Sequence, residues 1–299
     1  MRTILFCFLC LFVFSCKEKY VSPYVSNIDG YLVVEGNINN GKDSTVIKLS
    51  RSSRLDNDVV KMESGAIVKL EGDDKMSYIL NEIRPGFYHI GQLSLSEAKK
   101  YRLSIVTKSG KKYFSEFVPV KDNPAIDSVQ WKVEKSGVQL YINTHDDLNK
   151  TKYYHWEFDE TWEFHSTYKS FLQINESLIQ GKKVYTLDYR NLGYYSFDSS
   201  IYYCWRTEPS KNILIGTSIN LSNDVISLPF HFIPNDSWKL GVRYSINVKQ
   251  YSLSKSAYDY LLKMKKNTES TGSIFDAQPS ELKGNFYAES DKSETVIGF

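Results

Sequence analysis

Residues able to do chemistry cluster first at 155–165, His155-Trp156-Glu157-Phe158-Asp159-Glu160-Thr161-Trp162-Glu163-Phe164-His165, where four acids stand among aromatic side chains. On a β-strand alternate side chains share a face, and an i, i+2 pair lies about 7 Å apart. Glu157 and Asp159 therefore fall inside the window of about 5–9.5 Å that two carboxylates need for glycoside hydrolysis. The plainer reading is a strand with a wet acidic face, whose Trp156 and Phe158 turn the other way into a core. The five histidines, His89, His145, His155, His165 and His231, form no HxH or HExxH pair, and CxxC is absent, so zinc has no support. His145-Asp146-Asp147-Leu148-Asn149 offers hard oxygens suited to Ca²⁺ but lacks the twelve-residue EF-hand pattern, and reads first as a solvated turn. GxSxG, GxGxxG and GxxxxGK[ST] are also absent. The sequence predicts no metal, no cofactor and no catalytic residue; a carboxylate-pair hydrolase built on Glu157 and Asp159 is the enzymatic alternative.

Aromatic contact is the other chemistry on offer. Tyr185, Tyr189, Tyr194 and Tyr195 occur in a stretch that also carries Asn191 and Gly193, which reads as a loop. Exposed tyrosines there would hold a sugar or a peptide by stacking and apolar contact. The competing reading folds that loop over a sandwich. Tyr202-Tyr203-Cys204-Trp205 reads as a buried strand with Cys204 as a core cysteine.

The N-terminus speaks to compartment. Residues 1–16 read MRTILFCFLCLFVFSC, with Arg2 as a short positive region and Ile4 to Phe14 as an unbroken apolar run. That run suits a signal peptide and is too short to cross a bilayer core of about 30 Å as a helix. Val13-Phe14-Ser15-Cys16 resembles the lipobox of bacterial lipoproteins, with small Ser15 before the cleaved bond and Cys16 as the lipidated residue. An ordinary secretory signal is the alternative. The lipobox reading gives a signal peptide over 1–15, a lipidated Cys16 with a tether over 16–28, and a lipid membrane as the first partner. Each buried CH₂ contributes about 0.8 kcal/mol, so two or three acyl chains anchor stably where one would not. Cys7 and Cys10 leave with the signal, so Cys204 is the one thiol of the mature chain.

The body reads as β. Of 299 residues 41% are hydrophobic and 14% aromatic, enough for real cores and unlike a disordered chain. A net charge of +2 gives no concentrated basic face, so no nucleic acid is expected. Short β-branched and aromatic runs between turn residues, such as Tyr31–Ile38, Ala66–Leu70 and Tyr101–Val106, predict a prealbumin- or Ig-like sandwich over 29–122. A second β domain is predicted over 123–299, with strands at Ile126–Val133, Val138–Asn143, Tyr153–Phe158, Trp162–Tyr168, Ile201–Arg206, Ile213–Leu221 and Val242–Tyr251. Residues 172–200 are expected to form an irregular insertion. Ser254 as N-cap and the stripe Ala257, Tyr258, Leu261, Leu262 predict one helix over 254–266.

An ordered set of short motifs carries a family resemblance. Leu32-Val33-Val34-Glu35-Gly36, Ile126-Asp127-Ser128, Tyr203-Cys204-Trp205, Arg243 to Val248, Gln250-Tyr251-Ser252-Leu253, Gly272 to Asp276, Gln278-Pro279, Gly284-Asn285 and Val296-Ile297-Gly298-Phe299 stand in one order. Together they resemble a Bacteroidota lipoprotein family known as domain of unknown function 4249. The resemblance implies an outer-membrane lipoprotein of a kind often coded beside a TonB-dependent transporter, which is then the expected protein partner, and it brings no catalytic or ligand residue. Similar chains run on past Phe299 into another strand and a cysteine-bearing tail, which would leave Cys204 without its partner. The reading is an all-β, two-domain, lipid-anchored binding or accessory module that captures a glycan or peptide nutrient; a surface adhesin is the further alternative.

Overall fold

A computed structural model describes residues 30–53, 59–190, 199–269 and 282–299. The protein is all-β with one helix near its C-terminal end. The strands are β1 (Leu32–Glu35), β2 (Thr45–Arg51), β3 (Lys61–Met62), β4 (Ile67–Gly72), β5 (Ser77–Arg84), β6 (Phe87–Ile90), β7 (Lys100–Val106), β8 (Lys112–Ser115) and β9 (Val118–Pro119). After them come β10 (Ile126–Glu134), β11 (Gly137–His145), β12 (Tyr153–His165), β13 (Leu172–Ile179), β14 (Lys182–Tyr189), β15 (Tyr203–Pro209), β16 (Leu214–Thr217), β17 (Val225–Pro234) and β18 (Arg243–Ser252). Helix α1 (Lys255–Glu269), β19 (Phe286–Ala288) and β20 (Val296–Ile297) complete the order.

The first sheet runs β19-β8-β7-β4-β5-β6-β2-β1-β20. Strand β5 changes partner midway: Ser77–Leu80 pair with β4, and Asn81–Arg84 with β6. The sheet thereby folds into two layers on one core of Leu32, Ile47, Leu49, Val68, Leu70, Tyr88, Ile105 and Tyr113. Alternation produces this core: Ile47 and Leu49 of β2, Val68 and Leu70 of β4, and Tyr101, Leu103 and Ile105 of β7 are apolar residues two apart that turn inward.

A second layered unit follows. Strands β10-β11-β17 form one sheet; β12 is the spine of the other, with β18 along one edge and β15 and β16 sharing the opposite edge. Between them lie Leu140, Ile142, Tyr154, Trp156, Phe158, Ile226, Phe230 and Ile233. A buried tie joins the two sheets. The Trp156 indole donates to Gln250 Oε1 (2.7 Å), and Gln250 Nε2 donates to Thr144 Oγ1 (3.0 Å) and the Pro124 carbonyl (2.9 Å). Helix α1 starts at the predicted cap, with Ala257 N–H donating to Ser254 Oγ (3.1 Å).

Several expectations are corrected. Tyr153–Phe158 and Trp162–Tyr168 are not separate strands; β12 runs unbroken through Asp159-Glu160 because Glu160 finds partners inside the core. Strand β17 falls outside the strands expected from the sequence, where Pro229 and Pro234 argue against one. Pro229 is tolerated because β17 is an edge strand and the register shifts by one residue beside it. Residues 172–189 of the expected irregular insertion form a regular hairpin, β13–β14. The end of the chain does not stay with the second unit: β19 pairs with β8 and β20 lies parallel to β1, so both belong to the first sheet.

Candidate functional site

The β12 spine sorts its side chains by parity. Tyr154, Trp156, Phe158, Glu160 and Trp162 turn to the core, while His155, Glu157, Asp159, Thr161 and Glu163 lie on the other face. Trp156 and Phe158 thus point away from the acids, as the plainer reading predicts. Both carboxylates of the candidate pair are already engaged. Glu157 accepts from His155 Nε2 (3.3 Å) and the Tyr251 hydroxyl (3.3 Å), and Asp159 is paired with Lys249 Nζ (3.0 Å). The His155 hydrogen bond, against the opposing effect of burial, holds the Glu157 carboxyl below the ordinary range. The arrangement makes a surface ion network across β12 and β18.

The group of four acids also contains a residue the sequence reading passed over. Glu160 is buried, and it accepts from Lys239 Nζ (2.5 Å), His231 Nε2 (3.1 Å) and the Tyr244 hydroxyl (3.1 Å). Burial raises its pKa; Lys239, His231 and Tyr244 outweigh that and hold it below the ordinary value. Lys239 also lies 4.6 Å from the Trp162 ring, and Trp238 meets Trp162 edge-on at 5.5 Å. This network fastens the 3₁₀ turn Trp238–Leu240 and strand β17 onto β12. Its signal in the sequence was parity: an acid at an inward position of a strand requires partners.

The β13–β14 ribbon is the most unusual surface. Its turn is Gln180-Gly181, both at positive φ (51° and 75°), the two-residue geometry that continues strand twist. The register sets Leu172 opposite Tyr189, Ile174 opposite Leu187, Glu176 opposite Tyr185 and Leu178 opposite Lys183, all on one face. Gln173, Asn175, Ser177, Thr186 and Asp188 occupy the other, with Val184, Lys182 and Ile179 toward its turn. Ile174 is 71% exposed, Leu178 72% and Leu187 64%, and Tyr185 and Tyr189 are exposed as well. Among the described residues, β13 and β14 pair only with each other. The structure therefore brings Tyr185 and Tyr189 together on one apolar face. Tyr194 and Tyr195 lie outside the described residues, as do Ser15 and Cys16.

Cys204 departs from the expected buried strand. Strand β15 is an edge strand with Tyr203 and Trp205 exposed, and Cys204 is a half-buried free thiol whose sulfur lies 3.8 Å from the Ile201 carbonyl. Among the described residues, no group of three or more His, Cys, Asp or Glu is arranged to hold a metal, and no helix is long and apolar enough to cross a membrane.

Two layered β units, a two-stranded ribbon with an exposed apolar face and a partnered acid network define an all-β protein of layered sheets. Within that class, the model of a domain of unknown function, DUF4249, matches residues 18–299, and the chain belongs to this family. No curated protein matches the sequence.

Proposed function

We propose that this chain is a lipid-anchored outer-membrane accessory protein, non-catalytic, that works with a TonB-dependent transporter in capturing a glycan or peptide nutrient. The observation that carries the reading is the apolar face of β13–β14. Isolated two-stranded ribbons are marginal in water, and contiguous exposed apolar patches mark contact sites. Aliphatic Leu172, Ile174, Leu178 and Leu187 outnumber the two tyrosines, a composition suited to a protein partner more than to a sugar, which needs ring faces edged by polar groups. The ribbon is thus assigned to the transporter. The lipid on Cys16 keeps the protein in the same membrane, which raises the effective concentration of the partner.

The test is purification of the tagged chain from envelopes solubilised in mild detergent. A TonB-dependent transporter co-purifies with the wild type and is lost with Ile174→Asp/Leu187→Asp, while circular dichroism stays unchanged. Equal recovery with that variant, or no transporter with the wild type, overturns the reading. A second reading, a surface adhesin or general protein-contact module, draws on the ribbon's two outer edges. Each carries backbone groups that a foreign strand can pair with. It predicts a partner outside the envelope and no transporter in the purified complex.

A further inference from the structure

Two loops at one end of the second unit carry buried oxygen atoms that have no hydrogen-bond partner among the described residues. In the first, the Asp146 carboxylate accepts the backbone N–H groups of Leu148 (3.0 Å), Lys150 (2.9 Å) and Thr151 (2.7 Å). In the second, residues 218–224 leave β16 and lead into β17. The loops are stitched together: Asp146 N–H donates to the Asp224 carbonyl (3.1 Å), and Ser218 N–H donates to the Lys152 carbonyl (3.1 Å). Thr217 Oγ1 donates to that same carbonyl (2.8 Å).

Asp224 is only 2% exposed and Ser218 is fully buried. One Asp224 oxygen accepts from the Tyr154 hydroxyl. The other, Oδ1, and Ser218 Oγ have no hydrogen-bond partner among the described residues. Neither Asp146 nor Asp224 has an ion-pair partner there.

An ionised carboxylate in such a place costs several kcal/mol unless a cation meets it. A water would satisfy the hydrogen bond but not the charge. A hard divalent cation answers both.

We propose that this site binds a calcium ion through Asp224 Oδ1, Ser218 Oγ and the Asp146 carboxylate, with backbone carbonyls and water completing the shell. Mixed oxygen donors on irregular loops suit Ca²⁺, which accepts six to eight ligands in flexible geometry, better than Mg²⁺, which demands a near-ideal octahedron. Two carboxylates place the affinity in the weak class, about 10⁻⁴–10⁻³ M, which is filled only where calcium is plentiful. The site is independent of the ribbon, so the failure of either proposal leaves the other standing.

Chelator-stripped protein is titrated with Tb³⁺ and then with CaCl₂. Tyr154 is stacked 5.6 Å from Trp156, and the pair acts as the antenna. Sensitised Tb³⁺ emission appears, Ca²⁺ displaces it with a midpoint in the stated range, and Ca²⁺ but not Mg²⁺ raises Tm by several degrees. Asp224→Asn weakens Ca²⁺ at least tenfold. Absence of both the emission and the Tm shift up to about 10 mM Ca²⁺ overturns the proposal, as does an equal shift with Na⁺ or K⁺. These wild-type readings decide it even where Asp224→Asn fails to fold.

Discussion

Ile174 stands directly opposite Leu187 across the β13–β14 ribbon, and both side chains lie in water. Cross-strand apolar pairs of this kind stabilise a sheet mainly by burying one another against a third layer. Here no third layer is in place among the described residues. The pair makes sense as half of an interface.

The ribbon face should therefore be dispensable for folding. Ile174→Ser and Leu187→Ser are expected to change unfolding free energy by no more than about 0.5 kcal/mol each, the usual size for exposed positions. Urea denaturation checks this. A loss of several kcal/mol would mean that the face is covered within the monomer.

The C-terminal return strands should be essential to the first sheet. Gly284 and Gly298 meet so closely that a Cβ on Gly284 would lie 1.6 Å from the Gly298 carbonyl oxygen. Gly298 itself takes φ +149° against the Val34 carbonyl. Gly284→Ala is expected to cost about 2 kcal/mol or more, because backbone must move on both sides. Differential scanning calorimetry reads the cost as a lower Tm, and an unchanged Tm would show that β19 and β20 contribute nothing.

How much of this was legible in the sequence varied with distance along the chain. Alternation gave the core face of β12 and the opposing placement of Glu157 and Asp159, since parity is local. The same alternation was present in Leu172-Gln173-Ile174-Asn175, yet the surrounding polar residues hid a strand that no core supports. Pro229 concealed β17, because its tolerance depends on an edge position that only the sheet order reveals. Nothing local announces that Val296 pairs with Leu32, since a parallel contact across 264 positions has no short-range signature. The partners of Glu160 were hidden for the same reason: Lys239, His231 and Tyr244 come from later segments of the chain.

Acid should loosen the second unit through Glu160. Its folded pKa is depressed below the ordinary 4.5, so its contribution is fully present above that value and is lost as pH falls through the lower folded value. Glu160→Gln is expected to cost about 3 kcal/mol at neutral pH by leaving Lys239 without its buried counter-charge. The stability difference between wild type and variant should then shrink below pH 4.5. Chemical denaturation at several pH values measures it; a difference that stays constant would remove Glu160 from the account.

Anchoring has its own prediction. Cys16→Ser removes the sulfur proposed to accept the acyl chains, and nothing else is proposed to hold the body to lipid. The variant is expected in the soluble fraction after a carbonate wash of envelopes, with the wild type retained. Retention of the variant would contradict a lipid anchor at this residue.

Contact between the ribbon and a transporter is tested most directly by a photo-crosslinking amino acid placed at position 174 in living cells. Illumination should yield one dominant adduct, identified by mass spectrometry as a TonB-dependent transporter, and a probe at position 173 on the polar face should yield much less. Equal adducts from both positions, or none with a transporter from position 174, would contradict the account.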